Sequence, residues 1–166
     1  MTLKTLNGNT KKIKWVYNDG GRKEAGFKGE ARDCVCRAIV IASGRPYQEV
    51  YDRLAEGNAS QRRSKNQKTK LPKSARNGIT VWRKWFKDYM KELGFDWTAT
   101  MQIGSGCKVR LKSDELPKGR LVCVVSRHYV SVIDGVINDT HDCSREGTRC
   151  VYGYWKLKDS VTSATS

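Results

Sequence analysis

The chain has 166 residues, which fits one domain with one core, and its 38% hydrophobic content and five Trp are untypical of disordered chains. Its formal net charge of +15 favours acidic or phosphate-bearing partners without identifying one. No stretch is apolar enough for a membrane span or a signal peptide, so we expect a cytoplasmic protein with no membrane contact.

The N-terminal part predicts a short strand and then a helix. Residues 12–17 alternate as a half-buried strand does, and Asn18-Asp19-Gly20-Gly21 is a turn signal that ends it. Asp33 then precedes an apolar run that stops at Gly44. Asp at the N-cap and Gly just past the end are typical helix boundaries, so residues 34–43 are predicted to be helical.

Two further helices are predicted before the composition changes. One begins at Pro46 and is expected to end at Gly57-Asn58. The next is capped by Thr80 and ends at Gly94. Its predicted buried face consists of Trp82, Phe86, Tyr89, Met90 and Leu93.

After Gly94 the sequence favours an antiparallel sheet. Five segments rich in Val, Ile, Tyr and Trp are predicted as strands: 95–101, 121–125, 128–133, 136–140 and 150–157. Asp134-Gly135 between two apolar runs marks a two-residue hairpin turn. That turn would place Val130 opposite Asp139 and His128 opposite His141. Helices first and an antiparallel sheet second predict an α+β fold.

We expect one main domain with a basic loop. Residues 1–28 are predicted to be an N-terminal strand and irregular lead-in, 29–158 a single domain, and 159–166 a disordered tail. The segment 60–78 is predicted to be a loop, because it is basic and nearly free of apolar residues. Its basic residues could contact nucleic acid or an acidic partner, although a solvated loop is the simpler interpretation: Arg62, Arg63, Lys65, Lys68, Lys70, Lys73 and Arg76.

In a reducing cytoplasm the six cysteines are expected to be thiols: Cys34, Cys36, Cys107, Cys123, Cys143 and Cys150. A zinc site made from Cys34, Cys36, His141, Cys143 and Cys150 is disfavoured, because their spacing does not match structural zinc motifs. Cys36 lies about 200° around the helix from Cys34, so core packing is its expected role. No metal or cofactor is predicted.

Cys34 and His128 form the candidate reaction centre. The first turn of a helix stabilises a thiolate through free backbone N–H groups and the helix dipole. An imidazole is the usual base for such a nucleophile, and His128 begins a predicted strand. Asp139 would lie diagonal to His128 on the same face and could orient its ring, with His141 and Asp142 as the competing candidates.

A cysteine on an early helix, followed by His and Asp on a late hairpin, resembles the papain-like cysteine peptidase superfamily. The motifs Asp33-Cys34-Val35-Cys36-Arg37-Ala38 and Asp134-Gly135-Val136-Ile137-Asn138-Asp139 are similar to those of small phage and bacterial proteins. The resemblance implies that Cys34 is the nucleophile, His128 the base and Asp139 the orienting residue.

The resemblance also implies N-terminal helices, with the nucleophile on the first main one, packed on the C-terminal sheet. It further implies a protein or peptide substrate. If the gene is phage-encoded, the protein is expected in the host cytoplasm. The Gln that commonly precedes a papain-like cysteine is missing from the residues before Cys34, so the Cys34 N–H and Asn18 are the expected oxyanion donors. A catalytically silent binding protein on the same scaffold is the alternative.

Overall fold

The computed structural model of the chain describes residues 12–29, 31–61, 65 and 73–159. These residues form an α+β structure in which three helices pack on a six-stranded sheet. The helices are α1 (Cys34–Ser43), α2 (Tyr47–Ser60) and α3 (Lys84–Glu92). The strands are β1 (Lys14–Tyr17), β2 (Phe95–Ala99), β3 (Arg120–Val125), β4 (His128–Ile133), β5 (Val136–Asp139) and β6 (Val151–Leu157).

The sheet is mixed, which corrects the prediction of an antiparallel one. Its strand order is β1-β5-β4-β3-β6-β2, and β1 pairs with β5 in parallel while the other neighbours are antiparallel. Parallel pairing needs a long connection, and all three helices lie between β1 and β5 in the chain. The predicted lead-in strand is therefore an edge strand of the sheet itself.

The hairpin of β4 and β5 has the predicted two-residue turn. Ile133 pairs with Val136, and both turn residues have positive φ, 47° at Asp134 and 77° at Gly135. Positive φ at both positions is the backbone of a type I′ turn, which matches the twist of the strands it joins. The predicted register is confirmed over the three observed pairs, Ile133–Val136, Val132–Ile137 and Ser131–Asn138.

Each face of the sheet has its own core. On one face the helices pack over strand residues in a cluster that includes Ile39, Leu54, Phe86, Val122 and Trp155. On the other face, residues from the loops before β3 and before β6 cover the strands in a second cluster, which includes Ile13, Leu111, Leu121, Val130 and Cys143. Strand residues alternate between the two clusters, as side chains on a sheet must.

Two contacts fix the C-terminus of helix α1. Gly44 ends it at φ 73°, and its N–H donates to the Val40 carbonyl at 2.9 Å, as at a left-handed C-cap. Arg120, the first residue of β3, donates to the carbonyls of Ala42 (2.6 Å) and Ile41 (2.7 Å). A guanidinium there satisfies free carbonyls and complements the helix dipole.

Asp33 lies at the predicted N-cap position but makes no side-chain cap bond to α1. Its buried carboxylate instead accepts a hydrogen bond from the Tyr47 hydroxyl at 2.6 Å. Arg22 Nε lies 3.2 Å and Arg37 Nε 3.4 Å from its two oxygens, the latter without hydrogen-bond geometry. Asp33 therefore ties the segment before α1 to both α1 and α2.

Two predicted helix boundaries are wrong. Helix α2 continues through Gly57 to Ser60, because Gly57 packs under the ring of Trp85: an added Cβ would lie 2.2 Å from Trp85 Cζ3. Helix α3 begins at Lys84 rather than near Thr80, which leaves Trp82 outside it and 72% exposed. Phe86, Tyr89, Met90 and Leu93 are buried as predicted.

Cys107 and Cys150 are joined by a disulfide, so the expectation of six free thiols is wrong for this pair. Their Cα atoms lie 5.8 Å apart, and Cys150 also forms an isolated antiparallel bridge with Arg110. Cys34, Cys36, Cys123 and Cys143 are free. Within the described ranges no helix is long and apolar enough to cross a membrane.

Candidate active site

The β4–β5 hairpin brings His128 and Asp139 into contact. His128 begins β4 and Asp139 ends β5, so the two lie at the open end of the hairpin, opposite its turn. His128 Nε2 is 2.6 Å from Asp139 Oδ2, and the two side chains are only 11% and 5% exposed. The predicted diagonal pairing is thus present, with the bond shielded from water.

Cys34 approaches the same histidine from α1. Because Arg120 at the start of β3 holds the C-terminus of α1, the N-terminus lies at the opposite end of the sheet, where β4 begins. The half-buried Cys34 thiol neighbours the His128 side chain and the Tyr129 backbone, both of which lower its pKa. Nε2 faces Asp139, which leaves Nδ1 as the ring nitrogen for the thiol.

The surroundings of the three groups favour a thiolate and an imidazolium. Burial raises the pKa of Cys34, but hydrogen bonds to His128 and Tyr129 and the charges of His128 and Arg37 bring it below the ordinary value. Burial lowers the pKa of His128, but hydrogen bonds to Asp139, Cys143 and Cys34 raise it well above 6.5. The pKa of Asp139 is lowered, because its bond to His128 outweighs its burial.

Cys36 lacks this support and serves as a contrast. It is fully buried in the core, as predicted. Burial and the nearby charge of Asp33 raise the pKa of its thiol to about 12. Of these two cysteines, Cys34 alone has surroundings that favour the reactive thiolate.

The geometry favours Asp139 over its two competitors. His141 is exposed, and its ring centroid is 5.2 Å from that of His128. Asp142 is also exposed, and its Oδ1 accepts the backbone N–H of Ser144 at 3.0 Å. Neither has the short, buried contact with the imidazole that Asp139 has.

Asn18 directly follows β1, near the end of β5. Its Nδ2 donates to Asn138 Oδ1 at 3.3 Å, and its Oδ1 accepts the N–H of Gly20 at 2.9 Å. Its backbone N–H donates to the Asp139 carbonyl at 3.0 Å. The amide is thus held beside the hairpin, and its role as an oxyanion donor stays a prediction.

Arg37 and Thr140 support the pair but were not predicted. Arg37 Nη1 donates to Thr140 Oγ1 at 3.2 Å, and the Thr140 N–H donates to Asp139 Oδ1 at 2.7 Å. This chain of bonds links α1 to the carboxylate behind His128. A lone Arg one turn after Cys34, in an otherwise apolar helix, was the sequence signal for it.

Cys143 is the third neighbour of the imidazole. It is buried, and its thiol raises the pKa of the neighbouring His128 imidazole. One ligand atom from each of His128, Asp139 and Cys143 lies within 4.8 Å of the others, a donor set that would suit Zn²⁺. Of the five residues disfavoured as a zinc site by their spacing in the sequence, Cys143 alone belongs to this cluster.

Two depressions adjoin the triad. The basic cavity, of about 790 Å³, includes Asp33, Arg37 and Thr140, which are near neighbours in sequence of Cys34 and Asp139. The aromatic groove, of about 400 Å³, includes Tyr129, which follows His128. Its other lining residues are Val81, Trp82, Lys87, Lys91, Trp97 and Trp155. Each depression is thus lined in part by residues close in sequence to the triad.

Part of the predicted basic loop falls outside the described residues, namely Arg62, Arg63, Lys68 and Lys70. Lys65, Lys73 and Arg76 are exposed. The Arg76 carbonyl accepts the N–H of Arg32 at 2.8 Å, which places this end of the segment at the rim of the basic cavity. Of the predicted tail, residues 160–166 also lie outside the described part.

Comparison of the chain with protein family models, curated proteins and solved structures finds no match. The geometry of Cys34, His128 and Asp139 therefore has to support a functional assignment by itself.

Proposed function

We propose that the protein is a papain-like cysteine hydrolase that acts on a peptide, isopeptide or similar acyl bond. One observation carries the proposal: His128 Nε2 lies 2.6 Å from the buried carboxylate of Asp139, and the same imidazole neighbours the half-buried thiol of Cys34 and lowers its pKa. A nucleophile, a base and a group that orients the base are the parts that thiol acyl transfer requires.

In the first half of the reaction, the Cys34 thiolate attacks the substrate carbonyl carbon. A C–S bond forms, and the carbonyl π electrons move to oxygen, which becomes an oxyanion. The Cys34 N–H, in the first turn of α1, is a donor for this oxyanion, with the Asn18 amide as the proposed second donor. Collapse expels the amine, which takes its proton from the His128 imidazolium.

In the second half, the now neutral His128 takes a proton from water. The hydroxide adds to the thioester carbonyl, and collapse of the intermediate breaks the C–S bond. The carboxylic acid leaves, and the Cys34 thiolate and His128 imidazolium are restored. Asp139 stays ionised throughout and holds the ring through Nε2.

The arrangement of elements supports the papain-like part of the proposal. Cys34 begins the first helix, which packs against β4, and the histidine and aspartate lie on the paired strands β4 and β5. This is the order and placement that the sequence resemblance implies.

Acyl-enzyme formation tests the proposal. The protein is incubated with a panel of activated thioester and peptide-amide probes, and mass spectrometry locates any acyl group. We expect acylation of Cys34 and turnover that Cys34→Ala abolishes, with circular dichroism to confirm the fold. Cys36→Ala is the matched control and should retain turnover. Equal activity in Cys34→Ala would refute the proposal.

A binding protein without chemistry is the second candidate, and the exposed basic residues favour it. Lys65, Lys73 and Arg76 are exposed, and the net charge is +15. Such a protein would bind nucleic acid in a strongly salt-dependent way. It would also leave Cys34 no more reactive than an ordinary thiol, which separates it from the hydrolase.

A further inference from the structure

The basic cavity beside the triad carries an excess of positive charge. It is formed by the end of β1, the turn and loop residues that follow it, and the first turns of α1. Its ionisable lining residues, apart from Tyr17, are Arg22, Lys23, Lys28, Arg32 and Arg37 against Asp19 and Asp33. A cavity of about 790 Å³ lies within the usual size range of ligand sites.

The two carboxylates are already occupied by the protein. Asp19 accepts the backbone N–H groups of Gly21 at 2.9 Å and Lys23 at 3.1 Å, so it shapes the turn. Asp33 is shared between Arg22 and Arg37 and also accepts the Tyr47 hydroxyl. One buried negative charge thus faces two guanidinium groups.

The remaining three cations have no such partner. Lys23, Lys28 and Arg32 are exposed, and none of them takes part in an ion pair within the described part of the chain. Converging cations without a counter-charge attract anions and raise their local concentration. An anionic ligand would therefore be drawn to this cavity.

The cavity is coupled to the reaction centre by position. Asp33 directly precedes Cys34, Arg37 follows Cys34 by three residues on α1, and Thr140 follows Asp139. Arg37 donates to Thr140, whose N–H in turn donates to Asp139. Hydrogen bonds thus join the lining of the cavity to the carboxylate of the reaction centre.

We infer that the basic cavity binds an acidic stretch of a polypeptide substrate next to the scissile bond. The inference rests on the proposed hydrolase function, since a thiol hydrolase cleaves acyl bonds and nucleic acid backbones have none. Asp and Glu side chains match the arginines and lysines of the cavity. The substrate class is thus an acidic peptide or an acidic protein segment.

Binding to the Cys34→Ala variant tests this without requiring turnover. Fluorescence anisotropy would compare a fluorescein-labelled Glu-rich peptide, its Gln counterpart and a single-stranded oligonucleotide of equal charge. The test variant adds Lys23→Gln, Lys28→Gln and Arg32→Gln. The matched control instead adds Lys108→Gln, Lys118→Gln and Arg110→Gln, which remove the same charge from exposed residues outside the cavity.

We expect the Glu-rich peptide to bind about tenfold or more tightly than its Gln counterpart, because each exposed charge contact adds a factor of about two to five. The cavity variant should lose this preference, and the control should keep it within about twofold. Equal binding of both peptides, or equal losses in both variants, would overturn the inference. So would tighter oligonucleotide binding through the same three residues, which would make the cavity a nucleic-acid site.

The two proposals can fail separately. If the Glu-rich peptide binds through the cavity but Cys34 is never acylated by any probe, the hydrolase proposal fails and the cavity stands as an acidic-peptide site. If Cys34 is acylated but both peptides bind alike, the hydrolase stands and its proposed substrate class is wrong.

Discussion

At the residue scale, the reactivity of Cys34 depends on how its neighbours stabilise the charged form. Because the pKa of the thiol is lowered, the thiolate persists to a lower pH than that of an ordinary cysteine and is lost as the pH falls through the lowered value. We expect iodoacetamide to label Cys34 readily at pH 7. His128→Ala should slow labelling about tenfold for each unit by which the pKa rises.

The control for this measurement is within the same helix. Cys36 is buried, and its pKa is about 12, so it should stay unlabelled in the folded protein. Mass spectrometry of peptides distinguishes the two sites. A labelling profile that titrates near the ordinary value of about 8.5 in both wild type and His128→Ala would show that the pair is not primed.

Asp139 should matter for orienting His128 and not for charge alone. Asp139→Asn keeps the shape but removes the acceptor that faces Nε2, so we expect kcat/KM on an acyl probe to fall by at least about a hundredfold. Asp142→Asn removes the same charge three residues away and should change it by less than about twofold. Equal losses in the two variants would point to a general charge effect.

Much of the reaction centre could be predicted because it depends on local rules. A two-residue turn fixes the register of β4 and β5, and that register alone sets Asp139 diagonal to His128. Cys143 could not be found in this way, because it lies in a loop and reaches the imidazole only through tertiary packing.

At the scale of elements, Gly57 inside α2 permits the close approach of α3. A Cβ at Gly57 would lie 2.2 Å from the ring of Trp85, which is itself packed against the core and donates to Gln61 at 3.1 Å. Gly57→Ala should therefore lower the free energy of unfolding by about 1–3 kcal/mol, despite the better helix propensity of Ala.

Urea denaturation would measure this change, with Glu56→Ala as the control on the same helix. Glu56 is exposed, so its substitution should alter stability by no more than about 0.5 kcal/mol. A more stable Gly57→Ala variant would mean that Trp85 can move aside and that the close approach is not required.

The role of Gly57 could not be predicted from the sequence. Gly usually ends helices, so Gly57 predicted a boundary, whereas here it permits a neighbouring ring to approach the backbone. Strand β1 was predicted, but its parallel pairing with β5 was not. Its alternation predicts a strand, but its partner depends on a connection through three helices.

At the scale of the whole molecule, the two faces of the sheet are stabilised differently. The helices cover one face, whereas loops cover the other in the cluster that contains Leu111, Leu116 and Cys143. Ordering each loop residue costs conformational entropy. A covalent link can offset part of that cost, and Cys107–Cys150 joins the loop before β3 to the residue before β6.

The disulfide should make stability depend on redox conditions. Its cysteines are 43 residues apart, and in the chain-entropy model closing such a loop contributes up to about 4 kcal/mol. We expect a phosphine reductant to lower the urea midpoint of the wild type to that of Cys107→Ser/Cys150→Ser. The double variant should not respond to reductant, which controls for other thiol effects. If reductant leaves the wild-type midpoint unchanged, this bond does not stabilise the fold. The reducing cytoplasm predicted from the sequence would then not lower the stability of the protein.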